Sequence, residues 1–166
     1  MIEITSVGSG FHRWDDLLAL IHSSFAYMDD VIDPPSSAKG LTPASLAEKA
    51  GTEIAFLAVE EGQLLGCIFC RPELADCLYI GKLAVHPDAQ GKGLGRRLLA
   101  KAEAAARERG CSRLRLETRI ELTGNHATFA HWGFVKTAEK SHPGYDRVTF
   151  IEMVRTVDAT PPVLAS

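Results

Sequence analysis

A turn with three glycines and three cations precedes one of the longest amphipathic patterns in this chain. The segment QGKGLGRR occupies positions 90–97, with Lys92, Arg96 and Arg97 beside the glycines. The first N–H groups of a helix have no partner within it, and they carry the positive end of the helix dipole. Glycine has no Cβ atom to keep a bulky ligand from the backbone, and it permits positive φ. Because cations at this end of a helix oppose its dipole, the pattern predicts an anion site.

Two common phosphate-binding motifs do not account for this turn. In the dinucleotide fingerprint G-x-G-x-x-G the third glycine position is taken here by Arg96. The phosphate loop G-x-x-x-x-G-K-[ST] does not match either. The sequence therefore disfavours a nucleotide-dependent dehydrogenase and a nucleoside triphosphatase.

The stretch QGKGLG fits the pattern Q/R-x-x-G-x-G/A through Gln90, Gly93 and Gly95. This pattern is the pyrophosphate-binding signature of the GNAT superfamily of acyl-CoA N-acyltransferases, which the chain resembles. The resemblance includes the strand, proline-containing turn and helix of LAVHPDAQGKGLGRRLL, and the order of elements from residue 1 to about 154. It implies acetyl-CoA as cosubstrate and a central strand that splays from its parallel neighbour.

The resemblance also assigns cofactor contacts. Backbone groups of one strand would face the pantetheine, which would lie beside that strand as an added strand would. Amides of the glycine turn would hold the pyrophosphate. The residues so implied are Leu83, Ala84 and Val85 for the first role, and Gln90, Gly91, Lys92, Gly93, Leu94, Gly95 and Arg96 for the second.

A second family signature, often Y-x-x-x-G-F, reads NHATFAHWGF here. Asn125 matches an asparagine that many members use to bind the cofactor. Phe129 stands where the frequent catalytic tyrosine, the proton donor to the leaving thiolate, would be, and phenylalanine has no proton to give. Three explanations stay open: the thiolate leaves without a side-chain acid, another hydroxyl replaces the tyrosine, or catalysis is slow or absent. Tyr145, in the loop HPGYD, is the candidate replacement.

Acyl transfer to an amine also needs a group that removes a proton from the amine, either directly or through water. Glu117, at the end of a predicted strand, is the candidate base. Asp76, Tyr79 and His142 are further candidates, and spacing does not distinguish among them.

Periodic patterns predict the elements that must position these residues. Helical spacing from Phe11 to about Tyr27 and from Leu94 to Gly110, with apolar runs between and after them, predicts the order β-α-α-β-β-β-α-β-α-β-β. We therefore expect one α/β domain over residues 1–154, followed by a polar tail at 155–166. Its sheet is expected to be mixed and mostly antiparallel, with a splayed central parallel pair and helices on both faces.

Composition and net charge limit the classes of molecule that this protein is expected to bind. The net charge of −3 gives no overall reason to bind nucleic acid or an anionic membrane. No stretch is apolar enough to span a bilayer or to act as a signal peptide, which favours a cytoplasmic protein. The pair Cys67 and Cys70 in CIFC is expected to point to opposite faces of a strand, so neither a metal site nor a disulfide is predicted.

These observations predict an acetyl-CoA-dependent N-acetyltransferase acting on a primary amine of a small molecule or peptide, without a metal. The alternative is a coenzyme A-binding sensor or regulatory module with weak or lost catalysis, because of Phe129. A nucleic-acid or other anion-binding domain is a further alternative that the net acidity disfavours. The resemblance also allows a homodimer. The acceptor has no recognisable motif, and Asp29, Asp30 and Asp33 are read as caps and turns or as groups for a cationic amine.

Overall fold

The computed structural model describes residues 1–157, which form seven strands and four α-helices. In chain order they are β1 Glu3–Ser6, α1 Trp14–Phe25, α2 Pro43–Thr52, β2 Ile54–Glu60, β3 Gln63–Glu73, β4 Cys77–Val85, α3 Leu94–Glu108, β5 Arg113–Arg119, α4 Thr123–His131, β6 Val135–Lys140 and β7 Phe150–Thr156. Strand β7 continues past the expected boundary at residue 154, and the buried Val157 donates its N–H to the Ser112 carbonyl at 2.8 Å. The rest of the expected tail, 158–166, lies outside the described residues.

The strands form one mixed sheet in the order β1-β2-β3-β4-β5-β7-β6. All neighbouring pairs are antiparallel except β4 and β5, which run parallel. Their pairing extends from Cys77 and Arg113 only as far as Ile80 and Leu116, although both strands continue beyond that point. The fold class expected from the sequence, with its splayed central pair, is confirmed.

Helices cover both faces of this sheet. One core joins α1 and α2 to β2 and β3, through side chains such as Leu17, Leu46 and Phe69. The other joins α3 to β3, β4, β5 and β7, through side chains such as Leu98, Leu78 and Leu114. The apolar stripe at three- and four-residue spacing in α3 therefore packs against the centre of the sheet.

Local signals set the ends of several elements. Thr42 accepts a hydrogen bond from the Ser45 N–H at 3.0 Å, and Ser45 accepts one from the Thr42 N–H, so α2 begins with a capping box. Glu61 and Gly62, both with positive φ, turn the hairpin between β2 and β3. The sequence TGNHATFAHWGF predicts a helix capped by Thr123. That prediction is wrong, because Thr123 is the first residue of α4 and Leu122 precedes it without a side-chain cap.

The two cysteines of CIFC occupy different cores. Cys67 packs in the core formed with α1 and α2, and Cys70 packs in the core formed with α3. All four cysteines are free thiols. The expected opposition of Cys67 and Cys70 across the strand is confirmed.

We expect these two thiols to be unreactive in the folded protein. Burial raises the pKa of Cys67 and of Cys70 to about 12, and the thiolate is the nucleophile. With Ellman's reagent at pH 8, Cys67 and Cys70 should react only as fast as the protein unfolds, whereas the partly exposed Cys111 should react early. A Cys111→Ser variant should lose the early reaction. Rapid labelling of Cys67 or Cys70 in native protein would contradict the burial that the structure assigns them.

Candidate active site

Where β4 and β5 separate, the structure has a cleft of about 900 Å³. Its walls come from β4, β5, the N-terminal part of α3, α4, and the segment between α1 and α2. Of the residues implied by the family resemblance or proposed as catalytic, those that line the cleft are Leu83, Val85, Gln90, Gly91, Gly93, Leu94, Gly95, Arg96, Tyr79, Glu117, Asn125, Phe129 and His142. Asp76, Ala84, Lys92 and Tyr145 do not line it.

The N-terminus of α3 presents unpaired backbone donors to this cleft. Gly93 precedes the helix with φ +75°, and Gly91 has φ +80°. A Cβ atom added at either glycine would meet no protein atom within 4 Å, so the backbone there is open. The Arg97 N–H is the first to bond back, to the Gly93 carbonyl at 3.1 Å. Within residues 1–157, the N–H groups of 91–96 have no acceptor, so this turn offers the free donors that the predicted anion site would need.

Two details of the turn differ from the sequence interpretation. A Cβ at Gly95 would lie 3.2 Å from the Trp132 ring, so this glycine allows α3 to pack closely against the end of α4. Arg97 donates to the carbonyl of Ile2 at 3.2 Å, near the first strand. The local cations at the ligand side are therefore Lys92 and Arg96, both exposed.

The splayed part of β4 follows a bulge. Phe69 pairs with Lys82 and Cys70 with Ile80, so Gly81 is an extra residue in β4. Beyond it, Leu83 and Val85 face the cleft, while the Ala84 side chain is buried in the core with α1 and α2. The Val85 carbonyl accepts hydrogen bonds from Ser24 Oγ at 2.9 Å and from Gln90 Nε2 at 3.3 Å. Gln90 therefore contacts the splayed strand as well as the glycine turn.

Helix α4 supplies the opposite wall. Asn125 donates from Nδ2 to the Tyr27 hydroxyl at 3.2 Å, and both side chains line the cleft. The Phe129 ring lies edge-to-face against Trp132 and Phe134, with ring centroids 5.8 and 5.9 Å away. Phe129 thus has a fixed, apolar setting beside the cleft.

Tyr145 fastens one loop to another. Its hydroxyl donates to Asp33 Oδ1 at 2.7 Å, and Arg147 Nη2 lies 3.3 Å from Asp33 Oδ2. The hydrogen bond to Asp33 raises the pKa of Tyr145, because the phenol donates to a carboxylate. Of the three aspartates noted in the sequence, Asp33 is thus a loop anchor and Asp29 pairs with Lys39 at 3.1 Å. Tyr145 as proton donor stays a prediction, since its hydroxyl would have to leave Asp33.

Glu117 belongs to an ion network formed by side chains of β3, β5 and β7. Arg115 donates from Nη1 to Glu117 Oε2 at 2.8 Å and to Glu152 Oε2 at 3.2 Å, and it holds Glu73 with two further bonds. Arg115 lowers the pKa of Glu73 by hydrogen bonding. Thr137, followed by Lys140 and Arg115, lowers the pKa of Glu152. Hydrogen bonds to Glu73 and Glu117 raise the pKa of Arg115.

This network predicts a pH-dependent stability. Because the folded-state pKa values of Glu73 and Glu152 lie below the ordinary 4.5, the stabilisation is present above pH 4.5 and is lost as pH falls through the folded values. An Arg115→Met variant leaves neighbouring carboxylates without their cation and should cost about 2 kcal/mol of unfolding free energy at pH 7. Urea denaturation at pH 7 and pH 4 measures this cost. The variant should lose less stability than wild type between the two values, and an equal loss would contradict the assignment.

Three further charged or titratable side chains line the cleft away from the glycine turn, on the side where an acceptor would bind. His142, Lys82 and Arg119 all line it. Burial and the nearby Arg119 lower the pKa of His142, so its ring is neutral at pH 7 and can accept a proton. Lys82, Arg119 and Tyr27 were not singled out by sequence reasoning. A lysine inside the apolar run of β4 was the available signal for Lys82.

Neither a metal site nor a membrane helix is found in the described part. Across residues 1–157, no three His, Cys, Asp or Glu side chains are grouped so that they could hold a metal ion. No helix in the same range is long and apolar enough to cross a membrane.

Comparison with known proteins agrees with the geometry. Residues 14–134 match the Acetyltransferase (GNAT) family. Mycothiol acetyltransferase of Cellulomonas flavigena is 37% identical over 92 residues, which is 49% of this chain and 26% of that protein. Aminoglycoside N(6')-acetyltransferase type 1 of Stenotrophomonas maltophilia is 42% identical over 53 residues, covering 32% of this chain and 35% of that protein. The chain therefore matches about a quarter to a third of the length of these curated relatives.

Solved structures show the same fold. The ribosomal-protein-S18-alanine N-acetyltransferase from Escherichia coli aligns over 100% of both chains with a TM-score of 0.69 at 22% identity. PaiA N-acetyltransferase from Thermoplasma acidophilum, solved in complex with coenzyme A, aligns over 94% of this chain and 99% of that one, with a TM-score of 0.76 at 17% identity. With the splayed strands, the open helix N-terminus and the matched region together, this chain belongs to the GNAT acetyltransferase family.

Proposed function

We propose that the protein is an acetyl-CoA-dependent N-acetyltransferase that acts on a primary amine of a small molecule or peptide. The observation that carries the proposal is the set of unpaired amides at residues 91–96, which open onto a cleft between two splayed strands. A diphosphate fits this setting, because it meets backbone donors, a helix dipole and the cations Lys92 and Arg96. The thioester of acetyl-CoA supplies the activated acyl group.

The chain's own residues then have separate tasks. The amides of Gly91 to Arg96 bind the pyrophosphate, and the backbone of Leu83 to Val85 pairs with the pantetheine as an added strand would. Asn125 lies at the same wall of the cleft, held by Tyr27. The Phe129 ring, which packs against Trp132 and Phe134, excludes water from one side of the reacting group.

An amine reacts with a thioester only after it loses a proton. Glu117 is the proposed base, and its carboxylate lines the cleft while Arg115 fixes its orientation. His142 is the second group that can accept this proton, because its lowered pKa keeps it neutral. Tyr145 remains the proposed donor to the departing thiolate, on condition that its bond to Asp33 opens.

A coenzyme A-binding sensor is the second candidate function, and Phe129 is the observation that favours it. Titration calorimetry with acetyl-CoA and acceptor-dependent thiol release over a panel of amines separate the two. The enzyme proposal expects both binding and release that depends on the amine. Tight binding of acetyl-CoA without acceptor-dependent release would favour the sensor, and absence of acetyl-CoA binding would reject both functions.

A further inference from the structure

Two cations from neighbouring strands line the cleft without a carboxylate partner. Lys82 lies on β4 and Arg119 at the end of β5. Over residues 1–157, neither forms an ion pair. Both contact the segment between α1 and α2, Lys82 through Ser37 and Arg119 through Pro34 and Pro35. They therefore share the side of the cleft away from the glycine turn.

Lys82 is a partly desolvated ammonium with donors to spare. Its Nζ donates to Ser37 Oγ at 3.1 Å, which uses one of its three N–H groups. Burial and the charge of Lys49 lower the pKa of Lys82. Glu53 also acts on Lys82, but its carboxylate lies 2.6 Å from Lys49 Nζ and is committed to that ion pair.

Arg119 is likewise a partly desolvated cation with unused hydrogen-bond donors. Its guanidinium donates to the carbonyls of Pro34 at 2.6 Å and Pro35 at 3.0 Å, and burial lowers its pKa. The nearby acids Asp33 and Glu121 form ion pairs with Arg147, at 3.3 and 3.7 Å. A guanidinium has five N–H donors, so Arg119 keeps donors for a ligand.

The acid that lines the same cleft does not balance these two charges. Glu117 is engaged by Arg115 at 2.8 Å and lies 3.8 Å from Lys140 Nζ. The acceptor side is thus positive, within a chain of net charge −3. A desolvated cation without a partner costs free energy unless a ligand supplies the missing anion.

We propose that Lys82, together with Arg119, binds an anionic group of the acceptor, so that the acceptor is an amine that also carries a carboxylate or a phosphate. This inference rests on the proposed transfer to an amine and narrows its substrate class. The two cations also disfavour a protonated amine beside them, which lowers the pKa of the bound amine and promotes its reactive neutral form. A polycationic acceptor would be repelled at this site.

The test uses binding of product analogues, so it needs no turnover. N-acetylated aminoalkyl compounds with two- to four-carbon spacers ending in a carboxylate, a phosphate or a hydroxyl are titrated into the full chain by calorimetry, with and without coenzyme A. The anionic compounds should bind about tenfold tighter than the hydroxyl compounds, as expected for one charge-assisted hydrogen bond. The carboxylate and phosphate series show which anion fits. Spermidine is the polycationic probe and should not bind.

Three variants assign the effect to Lys82. Lys82→Met keeps an unbranched side chain one atom shorter, removes the charge and should abolish the preference for anionic compounds, whereas Lys82→Arg should retain it. Lys39→Met is the matched control, because Lys39 lies in the segment between α1 and α2 that Lys82 contacts, but it pairs with Asp29 and does not line the cleft. The control should bind like wild type.

Equal binding of anionic and hydroxyl compounds would overturn the inference, as would tight binding of spermidine or an equal loss in Lys39→Met. Failure of the proposed function gives a different result. If thiol release never depends on any amine while the anion preference persists in wild type and disappears in Lys82→Met, the transferase is rejected and the anion site is supported.

Discussion

A Gly93→Asp variant should bind acetyl-CoA on the order of a hundredfold more weakly than wild type, or about 2.7 kcal/mol. The new carboxylate would stand at the residue that precedes α3, where the amides of residues 91–96 are unpaired. A negative charge there competes for the same donors and repels a diphosphate. Titration calorimetry with acetyl-CoA and with coenzyme A measures the loss.

The stability of this variant should change little. No protein atom lies within 4 Å of a Cβ at Gly93, so the side chain has room. Aspartate tolerates the left-handed conformation better than most residues, and an acid at the start of a helix interacts favourably with its dipole. Thermal unfolding should therefore separate the loss of affinity from a loss of folding.

The same helix offers a matched control. Gly110, after the other end of α3, also has a positive φ, +72° against +75° at Gly93, and also has open space around it. Gly110→Asp imposes the same backbone cost and adds the same charge far from the cleft, so its affinity for acetyl-CoA should equal that of wild type. Gly93→Asn adds a side chain of similar size without the charge, and its affinity for acetyl-CoA should lie between those of Gly93→Asp and Gly110→Asp. Equal affinities in Gly93→Asp and wild type would refute the pyrophosphate site.

The sequence was sufficient for the fold because its signals are local. The period of the apolar residues in α3, the turn at Gly62 and the capping residues of α2 each act within a few positions along the chain. The proposed role of Gly93 could also be predicted from the sequence, since glycines at a helix N-terminus leave backbone N–H groups accessible to an anion. These features did not depend on which distant segments meet.

The rest of the site depended on distant contacts. Gly93 and Gly95 look alike in sequence, but their surroundings differ. Trp132 packs close to Gly95, whereas no protein atom lies within 4 Å of a Cβ atom placed at Gly93. The sequence around Tyr145 does not indicate that its hydroxyl donates a hydrogen bond to Asp33, 112 positions earlier. The unpaired state of Lys82 results from Ser37, Lys49 and Glu53, which belong to other elements. No local pattern contains that information.

We expect a Phe129→Tyr variant to raise kcat for acceptor-dependent thiol release by about tenfold to a hundredfold, because a positioned general acid contributes in this range or above. Phe129 lines the cleft, and the rings of Trp132 and Phe134 hold it edge-to-face. The added hydroxyl should therefore extend from a ring that keeps its place. Steady-state kinetics with saturating acetyl-CoA and a series of amines measures the change.

The matched control for the added hydroxyl is Phe150→Tyr. Phe150 also lines the cleft, but it packs against His142 at 4.8 Å between ring centroids, on the side of β7. A hydroxyl placed there should leave kcat near the wild-type value. Equal increases in both variants would mean that added polarity, rather than a proton donor at position 129, causes the gain.

The pH dependence of the gain identifies its cause. A tyrosine donates a proton only in its protonated form, and its ordinary pKa is about 10. The ratio of kcat between Phe129→Tyr and wild type should therefore be constant from pH 6 to about pH 8 and should fall as pH rises through the phenol pKa. A ratio near one at every pH would mean that proton delivery to the thiolate by a residue at position 129 does not limit the proposed reaction. An increase in the ratio toward high pH would exclude the tyrosine as the acid.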